Sequence, residues 1–207
     1  ARAVEIKPRM ARGHGSLAYV ISMDVRRWLA AEPPFLRAVE LNPREPTVRR
    51  AYGAHLGRLG RFNEAIAQVK MGLNEDPFFL PLNHQLAAEY LRARRFEEFH
   101  LQALEVVRLH PREGQSHLAL ARSLEWRREF ELALRSLAEA EKYGQTMMAF
   151  CQRGCIAALK GNLGFSRDTA ETLETHWKKK SFESLQLAIL WFLAEQRGRA
   201  TAVLKAG

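Results

Sequence analysis

The sequence predicts an all-α fold, a solenoid built from antiparallel helix pairs. The first observation is a helix ending that recurs: LRAVELNPRE at residues 36–45 has close relatives around Pro8, Pro77 and Pro111. The second is that these three prolines and Pro43 fall 35, 34 and 34 residues apart. A period near 34 residues is the length of two helices of roughly a dozen residues each, together with their turns.

Further columns of residues keep the same phase. One column is small at every step, in the middle of the first helix of each pair: Ala18, Gly53, Ala87, Ala121, Gly154 and Ala188. Bulky residues recur near the start of the following helix, at Trp28, Phe62, Phe96, Phe130 and Leu163. Small residues let helices approach closely, and each pair must stack on the next because one hairpin cannot bury its apolar face alone.

The period fixes the layout of the elements in chain order. Residues 1–8 are predicted to end a truncated helix, and complete repeats are predicted at about 11–43, 46–77, 80–111, 114–144 and 147–178, with a partial repeat at 181–207. In the first repeat the second helix should begin near Pro33, because prolines are tolerated in a first turn but break a helix interior. Trp28 then lies in a longer turn. We expect one solenoid domain over residues 1–207, excised from a longer protein.

Composition and motifs argue against several functional classes. The 207 residues are 47% hydrophobic and 27% charged, which is typical of a folded soluble protein. No transmembrane segment and no signal-peptide core is found, so we expect a cytoplasmic location. We find no phosphate loop, metal-ligand spacing or nucleophile motif, and expect no enzymatic activity, no metal and no cofactor. Cys151 and Cys155 share one helix face, either as buried or groove-lining thiols or as a redox pair.

The repeat resembles the tetratricopeptide repeat family over essentially the whole chain. In AYGAHLGRLGRFNEAIAQVKMGLNEDP the signature positions of the family are occupied by Gly53, Leu56, Gly60, Phe62, Ala65, Gly72 and Pro77. The resemblance implies a right-handed superhelix of about five complete repeats, with the first helix of each pair lining the concave side. The family's early tryptophan is replaced by His14, Arg49, Asn83, His117 and Phe150, and its turn glycine by Arg94 and Arg128.

The resemblance also implies a peptide-binding groove on the concave wall. The family's offsets place on this wall Tyr19, Arg50, Arg58, His84, Arg92, Arg122 and Trp126. They add Arg12, Met23, Leu118, Cys151, Cys155, Leu159, Leu185, Ile189 and Phe192. Arginine forks and an aromatic platform suit an extended acidic peptide. A wall that is simply solvated is the alternative.

A second surface is predicted at the turn inside each helix pair, where arginine is enriched. This basic ridge consists of Arg26, Arg27, Arg61, Arg94, Arg95, Arg127 and Arg128. With a net charge of +9, the ridge could face an acidic protein, an anionic membrane or nucleic acid. The simpler explanation is that arginine is a soluble turn residue.

We therefore predict a non-enzymatic scaffold that binds a peptide or a partner domain, with acidic partners the best match. The phrases AVELNP and LGRFNEAI resemble repeats attached to bacterial transcriptional regulators, serine/threonine kinases and nucleotide cyclases, which implies a regulatory or signalling parent. The alternative is an array that binds nucleic acid or an anionic surface through the basic ridge. A third expectation is self-association through the truncated ends.

Overall fold

The computed structural model describes residues 9–178 and 184–206, and that part of the chain contains twelve α-helices and no strand. In order they are α1 Ala11–Ser22, α2 Glu32–Leu41, α3 Pro46–Arg58, α4 Phe62–Glu75, α5 Leu80–Arg92, α6 Phe96–Leu109, α7 Gly114–Trp126, α8 Phe130–Lys142, α9 Thr146–Leu159, α10 Leu163–Lys178, α11 Ser184–Leu193 and α12 Arg197–Ala206. The predicted all-α fold of helix pairs is confirmed. The helix end predicted at residues 1–8 lies outside the described residues.

Consecutive helices pack in pairs, and the pairs stack within two compact units, Ala1–Leu109 and His110–Gly207. In the first unit the odd-numbered helices α1, α3 and α5 are the first helices of three pairs, and α3 packs against both α1 and α5. The second unit repeats this arrangement with α7, α9 and α11. The segment predicted as a partial repeat contains both helices of a sixth pair, α11 and α12.

The small residues at the centre of each first helix are buried. All six members of the central small column are buried: Ala18, Gly53, Ala87, Ala121, Gly154 and Ala188. Size matters there because a Cβ on Gly53 would lie 2.8 Å from Cγ2 of Val69, on the second helix of the same pair. A second close approach joins successive pairs, because a Cβ on Gly72 of α4 would lie 2.7 Å from Cδ1 of Leu82 on α5.

The first repeat differs from the predicted layout at Trp28. This residue was expected in a longer turn and instead lies, half-buried, in a 3₁₀ helix, Val25–Ala31. The helix starts there because the Asp24 carboxylate accepts a hydrogen bond from the backbone N–H of Arg26 at 3.0 Å. Helix α2 follows at Glu32 and carries its two prolines in the first turn.

The turn inside each pair from the second repeat onward closes on a residue with positive φ. Glycine occupies this position at Gly60 and Gly161, with φ of 77° and 86°. Arg94 and Arg128 adopt the same conformation, with φ of 58° and 60°. The N–H of the following residue then donates to a carbonyl five residues back, as from Arg95 to Tyr90 at 2.9 Å, which is the Schellman ending of a helix. Both arginines therefore hold a backbone geometry that favours glycine.

A hydrogen bond recurs where the family's tryptophan is replaced by a polar residue. Arg49 Nε donates to the Pro43 carbonyl at 2.9 Å, and Asn83 Nδ2 donates to the Pro77 carbonyl at 2.8 Å. In the fourth repeat His117 Nε2 lies 2.8 Å from the Pro111 carbonyl.

In each of these three bonds the acceptor lies six residues before a buried donor. In the fifth repeat phenylalanine at position 150 has no side-chain donor, so this bond cannot form there although Gly144 keeps its backbone carbonyl. The bond therefore depends on the polar residue, and where it forms it fixes the turn between repeats to the next first helix.

Replacement of Arg94 by glycine should stabilise the protein, because a left-handed backbone costs a side-chain-bearing residue more than it costs glycine. We expect Arg94→Gly to raise the free energy of unfolding by about 1 kcal/mol in urea titrations. The neighbouring Ala93 has φ of −73°, so Ala93→Gly should instead lower it by about 0.5–1 kcal/mol. Equal signs for the two variants would contradict the assigned turn geometry.

Removal of the Asn83 side chain should destabilise the turn after α4. Asn83 also accepts a hydrogen bond from Gln102 Nε2 at 2.9 Å, so it connects the turn to both α5 and α6. We expect Asn83→Ala to lower the free energy of unfolding by about 1–2 kcal/mol. The exposed Asn63→Ala is the matched control and should change it by less than about 0.5 kcal/mol. A similar loss in both variants would show that the recurring bond contributes nothing.

Candidate functional site: the first-helix faces

The predicted groove residues lie on the outward sides of the first helices, which we call the first-helix faces. In the first unit Tyr19, Arg58 and Arg92 are exposed, whereas Arg50 and His84 are half-buried. In the second unit Arg122 is exposed and Trp126 is 56% exposed. Their part in binding stays a prediction.

Three of the predicted residues, Arg12, Tyr19 and Arg50, meet in one pocket of the first unit. Tyr19 of α1 and Arg50 of α3 line a pocket of about 280 Å³ between these two helices. Val20, Val48 and Ala51 supply apolar lining. Polar lining comes from Arg12, Ser16 and Thr47. The family offsets had placed Arg12 on the wall, but the sequence did not single out the other apolar and polar lining residues. The offsets select positions within one helix and do not show which positions of two helices face each other.

The carboxylate of Glu45 is bound by two of the residues that line this pocket, Arg12 and Thr47. The two oxygens of Glu45 accept hydrogen bonds from Arg12 Nε at 3.0 Å and Nη2 at 3.2 Å, and Oε1 also accepts one from Thr47 Oγ1 at 2.8 Å. The bond from Arg12 lowers the pKa of Glu45 and keeps it ionised. The guanidinium group of Arg50 has no hydrogen-bond or ion-pair partner among residues 9–178 and 184–206.

A buried carboxylate, that of Glu89, lies close to two other arginines of the predicted groove, Arg92 and Arg58. The side chain of Glu89 is fully buried and accepts a hydrogen bond from Arg92 Nη1 at 2.6 Å. It also contacts Gln85, and it occupies the space that a Cβ on Gly57 would need. Burial raises the pKa of Glu89 although Arg92 opposes the shift. The i, i+4, i+7 spacing of Gln85, Glu89 and Arg92 was the available sequence signal for this cluster.

The first-helix face of the second unit is largely apolar at its C-terminal end. Leu185, Ile189 and Phe192 follow one face of α11 and are 58%, 47% and 57% exposed. Leu159 of α9 adds a further side chain that is 38% exposed. The family offsets had placed all four on the concave wall, and their part in binding stays a prediction.

Cys151, which the family offsets had placed on this wall, is buried, in agreement with one of the alternatives for the two thiols. It is only 5% exposed, because it packs beneath α11 with Sγ 4.0 Å from the Gln186 carbonyl oxygen. Cys155 is half-buried, and both residues are free thiols. No group of three or more histidine, cysteine or acidic side chains within the described residues is arranged to hold a metal ion. None of the described helices has the length and hydropathy needed to span a bilayer.

The arginines of the predicted basic ridge are partly neutralised by neighbouring carboxylates. Arg61 binds Glu64 at 2.6 Å and Glu32 at 2.6 Å, and Arg95 binds Glu98 at 2.5 Å. In the second unit Arg127 Nε lies 2.7 Å from Glu129 Oε1. Arg26, Arg27, Arg94 and Arg128 are exposed. The pairs reduce the net positive charge that these turns present to an anionic partner.

Neutralisation of Glu89 should stabilise the protein more at neutral than at acidic pH. Because its pKa is raised in the folded state, the ionised form costs stability as the pH rises above the unfolded value of about 4.3. Glu89→Gln lacks this cost, so its gain in melting temperature should be larger at pH 7.5 than at pH 4.5. Glu105, whose pKa is lowered by Arg108, is the control. Glu105→Gln should lose stability, with the larger loss at pH 7.5, and the same trend in both variants would contradict the assignment.

Comparison with known proteins identifies the fold. No description of a known protein family and no curated protein sequence matches the chain. A tetratricopeptide repeat protein from Parabacteroides merdae has a TM-score of 0.69 at 14% identity, over 95% of this chain and 78% of that one. TTC0263, a thermophilic TPR protein of Thermus thermophilus, has a TM-score of 0.66 at 19% identity, over 94% of this chain and 98% of its own.

YrrB, whose structure is described as a TPR protein with an unusual peptide-binding site, has a TM-score of 0.55 at 18% identity, over 83% of this chain and 89% of its own. The helix pairs, the buried small column and these likenesses agree. The chain therefore has the fold of the tetratricopeptide repeat proteins.

Proposed function

We propose that this chain is a non-enzymatic scaffold that holds a peptide or a partner domain against its first-helix faces. The observation that carries the proposal is the row of Leu185, Ile189 and Phe192, three large apolar side chains exposed on one side of α11. Contiguous exposed apolar surface is costly in water and marks surfaces that another molecule covers. Trp126 of the same unit is a further exposed aromatic side chain of the kind that dominates binding energy at interfaces.

The fold supports the same proposal. One side of each first helix is buried against the second helix of its pair and against neighbouring helices. The side chains on its other side do not pack in the core. YrrB, which shares the fold, is described as having an unusual peptide-binding site. We extend the proposal to a bacterial regulatory or signalling protein, located in the cytoplasm, of which this chain is a part. The support is the resemblance of the sequences AVELNP and LGRFNEAI to repeats attached to bacterial regulators, kinases and cyclases.

Peptides selected on the purified chain should depend on the apolar row of α11. We would select binders from a phage-displayed random peptide library and measure them by fluorescence anisotropy. The Ile189→Ser, Phe192→Ser double variant should weaken binding by about tenfold or more, since each change removes an exposed apolar anchor. Phe165 and Leu204 are similarly exposed but lie on second helices, so Phe165→Ser, Leu204→Ser is the matched control.

Equal weakening by both double variants, or no enrichment of peptides over the blank support, would contradict the scaffold proposal. The triple variant Arg92→Ala, Arg122→Ala, Trp126→Ala extends the test to the polar part of the predicted groove. The same titrations at rising salt distinguish the nucleic-acid alternative, because counterion release makes that affinity fall steeply. A peptide held by apolar side chains should lose little.

A further inference from the structure

We infer that the pocket between α1 and α3 binds a carboxylate, that of a glutamate side chain in an extended segment of the partner protein. The inference rests on the proposed function and specifies the chemistry of one position on the first-helix faces of the first unit. Arg50 would supply the charge, and Tyr19 the surface over which the side chain lies.

The charges within the first unit leave Arg50 as the cation available in this pocket. Arg12 is bound to Glu45 at 3.0 Å, and on the same face Arg92 is bound to Glu89 at 2.6 Å. Arg50 lies in the pocket, half-buried and without a carboxylate partner in the described part of the chain. A partly desolvated guanidinium gains most from an anion that it can grip with two parallel hydrogen bonds.

Neighbouring contacts hold Glu45, which is bound to two residues that line the pocket, away from Arg50. Glu45 cannot turn to it without breaking the bonds to Arg12 and Thr47. Arg49, the adjacent residue, points inward and donates to the Pro43 carbonyl at 2.9 Å, and it also contacts Gln68. Because Arg49 is anchored in this way, the rotation of α3 is fixed and the next side chain lies at the pocket.

The lining of the pocket matches one carboxylate on a short apolar stem. Val48 and Ala51 of α3 and the ring of Tyr19 offer apolar surface to methylene groups. The hydroxyls of Ser16 and Tyr19 are further hydrogen-bond donors on the α1 side. A phosphoryl group would bring nearly two negative charges, whereas one arginine is uncompensated here, so the charge balance favours a carboxylate.

The test uses defined peptides and the full chain. The probes are acetyl-Ala-Val-Glu-Val-Ala-amide and its glutamine and phosphoserine counterparts, titrated to about 10 mM, a range that detects weak affinities of a few kcal/mol. The readouts are the Nε–Hε signal of Arg50 and the ring signals of Tyr19 in nuclear magnetic resonance spectra. We expect saturable shifts with the glutamate peptide and at least tenfold weaker binding of the glutamine peptide.

Two variants separate the pocket from general electrostatic attraction. Arg50→Gln should abolish the shifts of Tyr19, whereas Arg37→Gln, which removes the same charge from the second helix α2, should leave the affinity within twofold. The amide spectrum of Arg50→Gln should otherwise match that of the parent chain, which shows that the variant is folded.

Several outcomes would overturn the inference. They are equal affinity for the glutamate and glutamine peptides, tighter binding of the phosphoserine peptide, unchanged binding by Arg50→Gln, or no shift of Arg50 with any probe. If library-selected peptides still require Ile189 and Phe192, the scaffold proposal stands while the pocket assignment fails. If neither surface responds, both fail.

Discussion

The structure depends on the close approach of helices at positions that admit only small side chains. A Cβ on Gly53 would lie 2.8 Å from Val69 of the same pair, and a Cβ on Gly72 would lie 2.7 Å from Leu82 of the next pair, so neither position has room for a side chain. Because the small column that contains Gly53 is buried in every pair, each first helix has one side committed to the core. The opposite side is left to solvent or to a partner, and this division produces the first-helix faces.

The fold follows from the sequence because its determinants are local and periodic. The proline column, the small column and the turn residues predict the helix pairs to within a few residues, from α1 to α10. Trp28 is an exception, because the segment between α1 and α2 forms a 3₁₀ helix capped by Asp24, and a fixed period carries no information on the conformation of a repeat with an extra residue. Cys151 is another, because its burial depends on the packing of α11 rather than on its offset within α9.

The candidate site is less predictable because it depends on pairs of side chains that are distant in sequence. Tyr19 and Arg50 are both identified from helix offsets, but their common pocket exists only once α1 and α3 lie side by side. The partnership of Arg12 with Glu45 spans 33 residues, and no periodic pattern predicts it. Counting arginines from the sequence therefore overstates the free positive charge, since it cannot show which of them a carboxylate already neutralises.

The pairing of arginines with carboxylates explains how a chain with a net charge of +9 can still discriminate between anionic partners. An unpaired surface cation attracts any anion, and such attraction is weakened by salt and carries little geometric information. A paired arginine is held in place by its carboxylate, as Arg12 is by Glu45, and it contributes shape rather than charge to the surface. Specificity then rests on the arginines whose charge is uncompensated and whose position is fixed by packing. Arg50 meets both conditions, since its neighbour Arg49 anchors α3 and no described carboxylate reaches it.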